Sequence, residues 1–255
     1  MKDAGVETEA LVLKRFDFSE TSQIARLYTR RYGRVSVLAK GSRRPNPNLL
    51  GPLDAPALAE ATVVLKTGDR LSLLTRYRVK TGFPGLRSVL ERLVAAFHLA
   101  ELLLEGVRDL DPDPAMFDDF VAGFAALEIA PPEGVAAVVL RTTLGYLRRA
   151  GFAPAFDRCV ACDAVAPPEA SVRFSPGRGG VLCRRCLDPT TPGLVTISAA
   201  RRRTLRALEA CTPAEAATVP LPEPDRLFFQ RTLGRTVEHA LEKELKSAPF
   251  VERTW

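Results

Sequence analysis

The sequence predicts an α+β fold: an N-terminal OB-fold β-barrel, followed by an α-helical domain that carries an inserted four-cysteine zinc ribbon. Three observations predict this arrangement. Short β-prone runs fill the first 81 residues, apolar residues at helical spacing follow them, and two CxxC pairs interrupt the helical part. At 255 residues and 46% hydrophobic residues, the chain is long enough to form two or three domains.

The barrel is predicted from five short runs that alternate in part between apolar and polar residues. The runs cover residues 8–16, 23–29, 34–39, 58–66 and 70–79, and turn-forming residues separate them. Five short strands suit a small closed barrel of the OB type. The expected barrel domain spans residues 1–81.

Helices are predicted after Pro84, where the apolar spacing changes. One apolar stripe runs through residues 86–103, and a second follows Pro114 through residues 117–127. A third helix runs through residues 135–147 and ends at Gly151. Beyond the cysteines, Ser198 is expected to cap a helix, and a final helix is expected over residues 225–246. The helical regions are therefore 82–152 and 196–255, with the latter packed on the former.

The most specific motif is a pair of CxxC knuckles, Cys159-Val-Ala-Cys162 and Cys183-Arg-Arg-Cys186. A two-residue spacer lets a tight turn direct both thiolates at one ion, and four thiolates satisfy tetrahedral zinc. A redox-active thiol pair and an iron–sulfur cluster are the alternatives. The motif predicts one structural Zn²⁺ in a module spanning residues 153–195, whereas Cys211 is expected to be a small buried apolar residue.

Basic charge is concentrated in the first third of the chain. Residues 1–80 hold 15 Lys and Arg against 8 Asp and Glu, and the remaining residues hold 21 against 22. Segregated positive charge is typical of a protein that binds a polyanion, although a solvated basic surface is the alternative. The candidate DNA-binding residues are Lys14, Arg15, Arg30, Arg31, Arg34, Lys40, Arg43 and Arg44.

Aromatic residues are interleaved with these cations, as single-strand binding sites require. Phe18 and Tyr32 are possible stacking platforms, whereas Phe16 and Tyr28, on half-buried strands, are expected to lie in the core. Arg26 stands among the basic residues as well. The run Lys40-Gly-Ser-Arg43-Arg44 is the best phosphate-binding candidate, because glycine allows a phosphate to approach the backbone closely.

No catalytic motif is found: the sequence has neither GxxxxGK[ST] nor HExxH. His98 and His239 are expected to have structural roles, and a zinc ion closed by four thiolates has no open position for water. An acidic nuclease centre assembled from residues distant in sequence remains an alternative. The protein is therefore expected to be non-enzymatic. With no exported or apolar leader visible, it is expected to be cytoplasmic and nucleoid-associated.

Two stretches of the chain resemble one known family. Ala10-Leu-Val-Leu-Lys14, Thr29-Arg-Arg-Tyr-Gly33-Arg34 and Lys40-Gly-Ser-Arg43-Arg44 resemble the barrel of the bacterial recombination mediator RecO family. Gly151-Phe-Ala-Pro154 and Phe174-Ser-Pro-Gly-Arg-Gly-Gly-Val-Leu-Cys183 resemble that family's zinc module. The resemblance covers most of the chain.

The resemblance implies a non-catalytic DNA-binding mediator. Such a protein binds single- and double-stranded DNA, anneals complementary strands and, with RecR, helps load RecA on strands coated by single-strand-binding protein. It also implies zinc ligation by the four cysteines, and a groove on the helical domain for the acidic C-terminal tail of single-strand-binding protein. Candidate residues for that groove are Arg141, Arg148 and Arg149, although a solvated helix face explains them as well. The alternative function is a nucleic-acid-processing enzyme with a structural zinc ribbon.

Overall fold

The computed structural model describes residues 5–50, 53–66, 68 and 70–254. Its first unit contains the strands β1 (Val6–Asp17), β2 (Gln23–Thr29), β3 (Gly33–Ala39), β4 (Leu49–Leu50), β5 (Ala57–Val64) and β6 (Ser72–Thr81). The strands pair in the order β3–β2–β1–β5–β6, and β6 returns to pair in parallel with β3. The two-residue β4 lies along the other end of β6. The closed five-stranded barrel confirms the predicted OB-like fold.

Alternation along the strands separates the barrel interior from its outer face. On β3, Val35 and Val37 fill the interior, whereas Ser36 between them points outward. On β1, Leu11 and Leu13 point outward but are still buried, because they belong to the core of the helical domain. One side of the barrel is thus covered by helices, whereas its outer face near the end of β1 is exposed.

Three helices follow the barrel: α1 (Leu90–Gly106), α2 (Pro114–Ile129) and α3 (Pro132–Arg149). The expected first helix begins later than its apolar stripe suggests, since a 3₁₀ turn at Pro84–Arg87 precedes it. Asp113 caps α2 by accepting the backbone N–H groups of Ala115 and Met116. As predicted, α3 ends before Gly151, which has a φ of +83°.

The barrel and the helices meet at the start of β3. Gly33 has a φ of +67°, and a Cβ atom at this position would overlap the backbone of Asp111. The backbone N–H of Leu110 donates to the Arg34 carbonyl at 3.0 Å. Because only glycine permits both this conformation and this close approach, Gly33 fixes the barrel against the loop that joins α1 to α2.

The cysteine module lies between α3 and the last helices. Its strands are β7 (Ala155–Cys159), β8 (Val172–Ser175), β9 (Gly180–Leu182) and β10 (Val195–Ile197), in the sheet order β10–β8–β9–β7. The chain then forms α4 (Ala199–Ala210), α5 (Pro213–Ala216), α6 (Glu223–Leu241) and α7 (Ala248–Thr254). The hydroxyl of Ser198 accepts the Arg201 N–H, which confirms the predicted cap of α4.

Helix α3 is buried on two faces and joins the parts of the molecule. Val135 and Leu147 face α1 and α2, whereas Leu140 and Leu144 pack with the cysteine module and the helices that follow it. The predicted final helix over residues 225–246 is wrong at its end, because Glu242 adopts a left-handed conformation with a φ of 55°. In the described part of the chain, no helix has the length and apolar character needed to cross a membrane.

Candidate nucleic-acid interface and metal centre

A β-bulge in β1 determines which side chains face outward near the end of the strand. Val12 pairs with Leu27, and the next pair is Lys14 with Arg26, so Leu13 is the extra residue. Regular alternation would pair Lys14 with Ala25, whose side chain lies in the barrel core. The bulge therefore keeps Lys14 and Phe16 on the outer face, beyond the part of β1 that the helices cover.

Phe16 is the centre of a cationic and aromatic cluster on this face. Its side chain is 41% exposed, with Lys14 Nζ 5.1 Å and the Arg26 guanidinium carbon 6.0 Å from the ring centroid. The prediction that Phe16 lies in the core is wrong, because the bulge turns it outward. Tyr28 is buried as predicted, and its hydroxyl donates to the Asp113 carbonyl. A ring between two cations is suited to stacking on a base beside its phosphate.

The two predicted stacking platforms differ in exposure. Phe18 is exposed just beyond the end of β1, where its backbone N–H donates to the Ser22 carbonyl at 3.0 Å. Tyr32 is half-buried against the barrel core, with the Arg31 guanidinium carbon 5.8 Å from its ring centroid. Of these two rings, Phe18 is therefore the one with a face open to a base.

The loop after β3 is held against the β1–β2 hairpin. The Gly41 N–H donates to Ser22 Oγ at 3.3 Å, and the Arg43 N–H donates to the Thr21 carbonyl at 3.1 Å. Lys40 and Arg44 are exposed. Because the backbone is anchored, the cations of residues 40–44 have a defined position beside the end of β1 that carries Phe16.

The structure divides the eight predicted DNA-binding residues into two groups at opposite ends of β2. The group near Phe16 contains Lys14, Arg15, Lys40, Arg43 and Arg44, and the group at the β2–β3 turn contains Arg30, Arg31 and Arg34. Arg26, which the predicted set omits, belongs to the first group through its register opposite Lys14. The eight residues therefore do not form one surface.

Two cations of the second group join the barrel to the helices. Arg30 donates to both carboxylate oxygens of Asp118, at 3.1 and 2.7 Å, and these hydrogen bonds raise the pKa of Arg30. Arg34 Nε donates to Asp109 at 2.6 Å, and Arg34 also donates to the Leu104 carbonyl. Since both guanidinium groups are occupied, their geometry indicates interdomain contacts.

The three predicted partner-binding arginines are in different environments. Arg141 is largely buried, pairs with Asp119 at 2.9 Å and donates to the Cys211 carbonyl, so it is not a free cation. Arg148 donates to the Glu209 carbonyl at 3.3 Å. Arg149 lies 3.7 Å from Asp113 and lines a cavity of about 570 Å³ where the barrel, the helices and the linker to the cysteine module meet.

That cavity has a mixed lining of apolar and charged residues. Met116, Phe152 and Leu241 contribute apolar surface, and Phe152 is half-exposed. Arg108 is exposed and lines the same cavity as Arg149. The lining also carries three carboxylates, from Glu105, Asp111 and Asp113.

The four cysteines of the two knuckles converge on one point. Cys159 ends β7 and Cys183 follows β9, and the four Sγ atoms lie within 4.8 Å of one another. Thiolates about 2.3 Å from a tetrahedral zinc ion have sulfurs about 3.8 Å apart. The Cys162 and Cys183 sulfurs are 3.7 Å apart, so the donor set fits a single metal ion.

The thiol pKa values show why this cluster favours a cation. Burial raises the pKa of Cys159, but backbone N–H groups of Cys183, Ala161 and Cys162 outweigh it and lower the pKa to about 6. The sulfurs of Cys162 and Cys183 raise the pKa of Cys186 to about 12. Four adjacent sulfurs cannot all be deprotonated without a compensating charge, and a metal ion bound there would supply that charge.

A buried arginine that the sequence pattern does not reveal anchors the module to α4. Arg202 is 1% exposed, pairs with Asp157 at 3.0 Å and donates to the Pro167 carbonyl at 2.7 Å. Arg206 also pairs with Asp157. An arginine on a polar helix gives no local signal in the sequence, because its burial depends on tertiary packing.

The remaining candidate residues lie apart from both sites. Burial lowers the pKa of His98 to about 4, and its Nδ1 lies 2.8 Å from Ser247 Oγ, which fits a structural role. His239 is exposed beside Gly177 of the cysteine module. Cys211 is half-buried, with its sulfur 3.5 Å from the Leu208 carbonyl, and is not part of the cysteine cluster.

The fold and the sites define a class of protein: an OB-barrel protein with a helical domain and a four-cysteine site. Comparison with known proteins identifies the family. Residues 1–83 match the model "Recombination protein O N terminal", and residues 87–249 match "Recombination protein O C terminal". The chain belongs to the RecO family of DNA repair and recombination proteins.

Individual relatives agree over nearly the whole chain. A DNA repair protein RecO from Anaeromyxobacter dehalogenans is 34% identical over 247 residues, which cover 97% of this chain and 96% of the relative. The protein of that name from Rhodopirellula baltica is 40% identical over 193 residues, covering 74% of this chain and 69% of the relative. The protein of that name from Myxococcus xanthus is 29% identical over 248 residues, covering 96% of each chain.

Proposed function

We propose that this protein is a non-catalytic recombination mediator. It binds single- and double-stranded DNA, anneals complementary strands and, with RecR, helps load RecA on strands coated by single-strand-binding protein. It works in the cytoplasm at the nucleoid. The observation that carries the proposal is the exposed Phe16 ring between Lys14 and Arg26, beside the anchored basic loop of residues 40–44.

The DNA surface is the outer face of β1–β3 at the end that carries Phe16. Bases stack on the ring, and Lys14, Arg26, Lys40 and Arg44 neutralise phosphates. These cations contact the DNA backbone and give little base readout, so binding is expected to be independent of DNA sequence. An annealing protein needs this combination, because its strands must be neutralised while their bases stay available for pairing.

The four-cysteine site is proposed to hold one structural Zn²⁺. Cys159, Cys162, Cys183 and Cys186 would hold the ion, and their number leaves no open coordination position. When bound, zinc supplies a cross-link and charge compensation for the thiolates. The ion would join the two knuckles within the module, and the Arg202–Asp157 contact joins the module to α4, so metal loss is expected to affect stability before DNA contact.

The cavity lined by Arg149, Arg108 and Phe152 is the proposed site for the acidic C-terminal tail of single-strand-binding protein. Its apolar residues would accept the terminal aromatic side chain, and the two arginines would face the carboxylates against the opposing charge of the acidic residues in the same lining. We do not place Arg141 in this site, because its guanidinium group already pairs with Asp119. Arg148 remains a candidate at the rim.

The deciding experiment measures the annealing rate of two complementary strands precoated with single-strand-binding protein, without nucleotide or Mg²⁺. Fast annealing that slows steeply with salt is expected. A parallel reaction with Mg²⁺ or Mn²⁺ tests the alternative of a nucleic-acid-processing enzyme. Strand cleavage, or tight DNA binding without any acceleration of annealing, would overturn the mediator proposal.

A further inference from the structure

A carboxylate borders the proposed DNA surface, beside the basic loop of residues 40–44. Asp17 ends β1, next to Phe16, and its Oδ2 lies 3.6 Å from Arg43 Nη1. Both side chains are exposed, Asp17 by 62% and Arg43 by 46%. A negative charge at this position opposes phosphate binding, because it holds one cation of the basic loop and repels the DNA backbone.

The position of Asp17 is defined by its neighbours. Gln23 Nε2 donates to Asp17 Oδ1 at 3.0 Å, and Ser42 Oγ donates to Gln23 Oε1 at 3.2 Å. This chain of hydrogen bonds connects the end of β1 to the same loop that carries Arg43. These hydrogen bonds therefore hold the Asp17 carboxylate beside the loop.

The contact between Asp17 and Arg43 is weak enough to exchange. The nitrogen and oxygen are too far apart for a charge-assisted hydrogen bond, and exposed ion pairs of this kind contribute little to stability. A DNA phosphate can thus replace the carboxylate as the partner of Arg43. The released Asp17 charge still opposes the phosphate, so the bound state is weaker than the cations alone would make it.

We infer that Asp17 limits the affinity of the barrel for DNA by occupying Arg43 in place of a phosphate. The inference rests on the proposed DNA-binding function and adds a residue that tunes it. Limited affinity suits an annealing protein, because a strand that is held too tightly is released slowly after it has paired.

The test is Asp17→Asn, measured by fluorescence anisotropy with labelled single strands and duplexes at several salt concentrations. The amide keeps the oxygen that accepts from Gln23 and removes the charge. Affinity for both DNA forms is expected to rise about two- to five-fold at low salt, the range of one exposed charge pair. The slope of log Kd against log salt is expected to steepen by up to about one unit.

Two control variants separate the local charge from other effects. Glu60→Gln removes a charge that pairs with Arg78 and lies opposite Glu9, about 26 Å along β1 from Asp17. It reports the effect of net charge alone, and is expected to change affinity less than Asp17→Asn does. Gln23→Met removes the hydrogen bonds to Asp17 and Ser42 without changing charge, and reports the effect of loosening the loop.

Unchanged or weaker DNA binding by Asp17→Asn would overturn the inference while leaving the proposed function intact. An equal gain in Glu60→Gln would overturn it as well, because net charge would then explain the result. If the wild-type protein itself showed no salt-dependent DNA binding, the proposed function would fail together with the inference.

Discussion

Replacing Phe16 by leucine removes the ring between Lys14 and Arg26 while keeping an apolar side chain. Stacking of a base on an aromatic ring contributes about 1–3 kcal/mol. Because the ring is only 41% exposed, the lower part of that range applies, and single-strand affinity is expected to fall about five- to twelve-fold. Duplex affinity should hardly change, since paired bases cannot stack on the ring. The free energy of unfolding should change by less than about 0.5 kcal/mol, as at other exposed positions.

Fluorescence anisotropy with a labelled oligothymidine and with a duplex of equal length provides the assay. The matched control is Phe250→Leu, which removes a 60% exposed ring from α7, remote in sequence from the barrel. The salt slope should be the same for wild type and Phe16→Leu, because no cation is removed. Equal loss of single-strand and duplex affinity, or no loss of either, would refute the role of Phe16 as a stacking platform.

Three further predictions concern the basic loop, the metal and a buried histidine. Replacing Lys40, Arg43 and Arg44 together by alanine should weaken binding uniformly across DNA sequences and reduce the salt slope by about two to three units; unchanged affinity in titrations would place the surface elsewhere. Cys183→Ser should release zinc, measured by elemental analysis, and lower the melting temperature; one zinc per chain in the variant would disprove the ligand assignment. Because burial lowers the folded-state pKa of His98 to about 4, stability should fall as pH falls from about 6.5 toward 4, and His98→Gln should flatten that part of the profile in denaturant unfolding.

The barrel and the four-cysteine cluster are predictable because their signals are local. Alternation on β2 and β3 reproduces the burial pattern of those strands, and the spacing of two CxxC knuckles is sufficient to bring four sulfurs together. Gly151 also correctly predicts the end of α3, and Ser198 the start of α4. In each case a few consecutive residues determine the geometry.

The remaining features depend on contacts between distant residues. The sequence pattern places Phe16 in the core because a bulge that reverses the direction of a side chain has no signature in the residues around it. Basic composition could not separate Arg30 and Arg34 from the DNA surface, since their partners Asp118 and Asp109 come from the helical domain. Arg141 pairs with Asp119 because α2 packs against α3. Pairings of this kind can be identified only from the tertiary structure.

The bulge at Leu13 has a consequence for how the molecule tolerates changes of length. Leu13 and Lys14 are consecutive, yet the first is embedded among the helices and the second is open to solvent beside Phe16. Inserting one residue between Lys14 and Phe16 would turn the Phe16 ring to the opposite face of β1 while Leu13 kept its place, so the proposed DNA surface would be lost without loss of the helix contact. The spacing of residues in β1 therefore links the proposed DNA surface directly to the helical core.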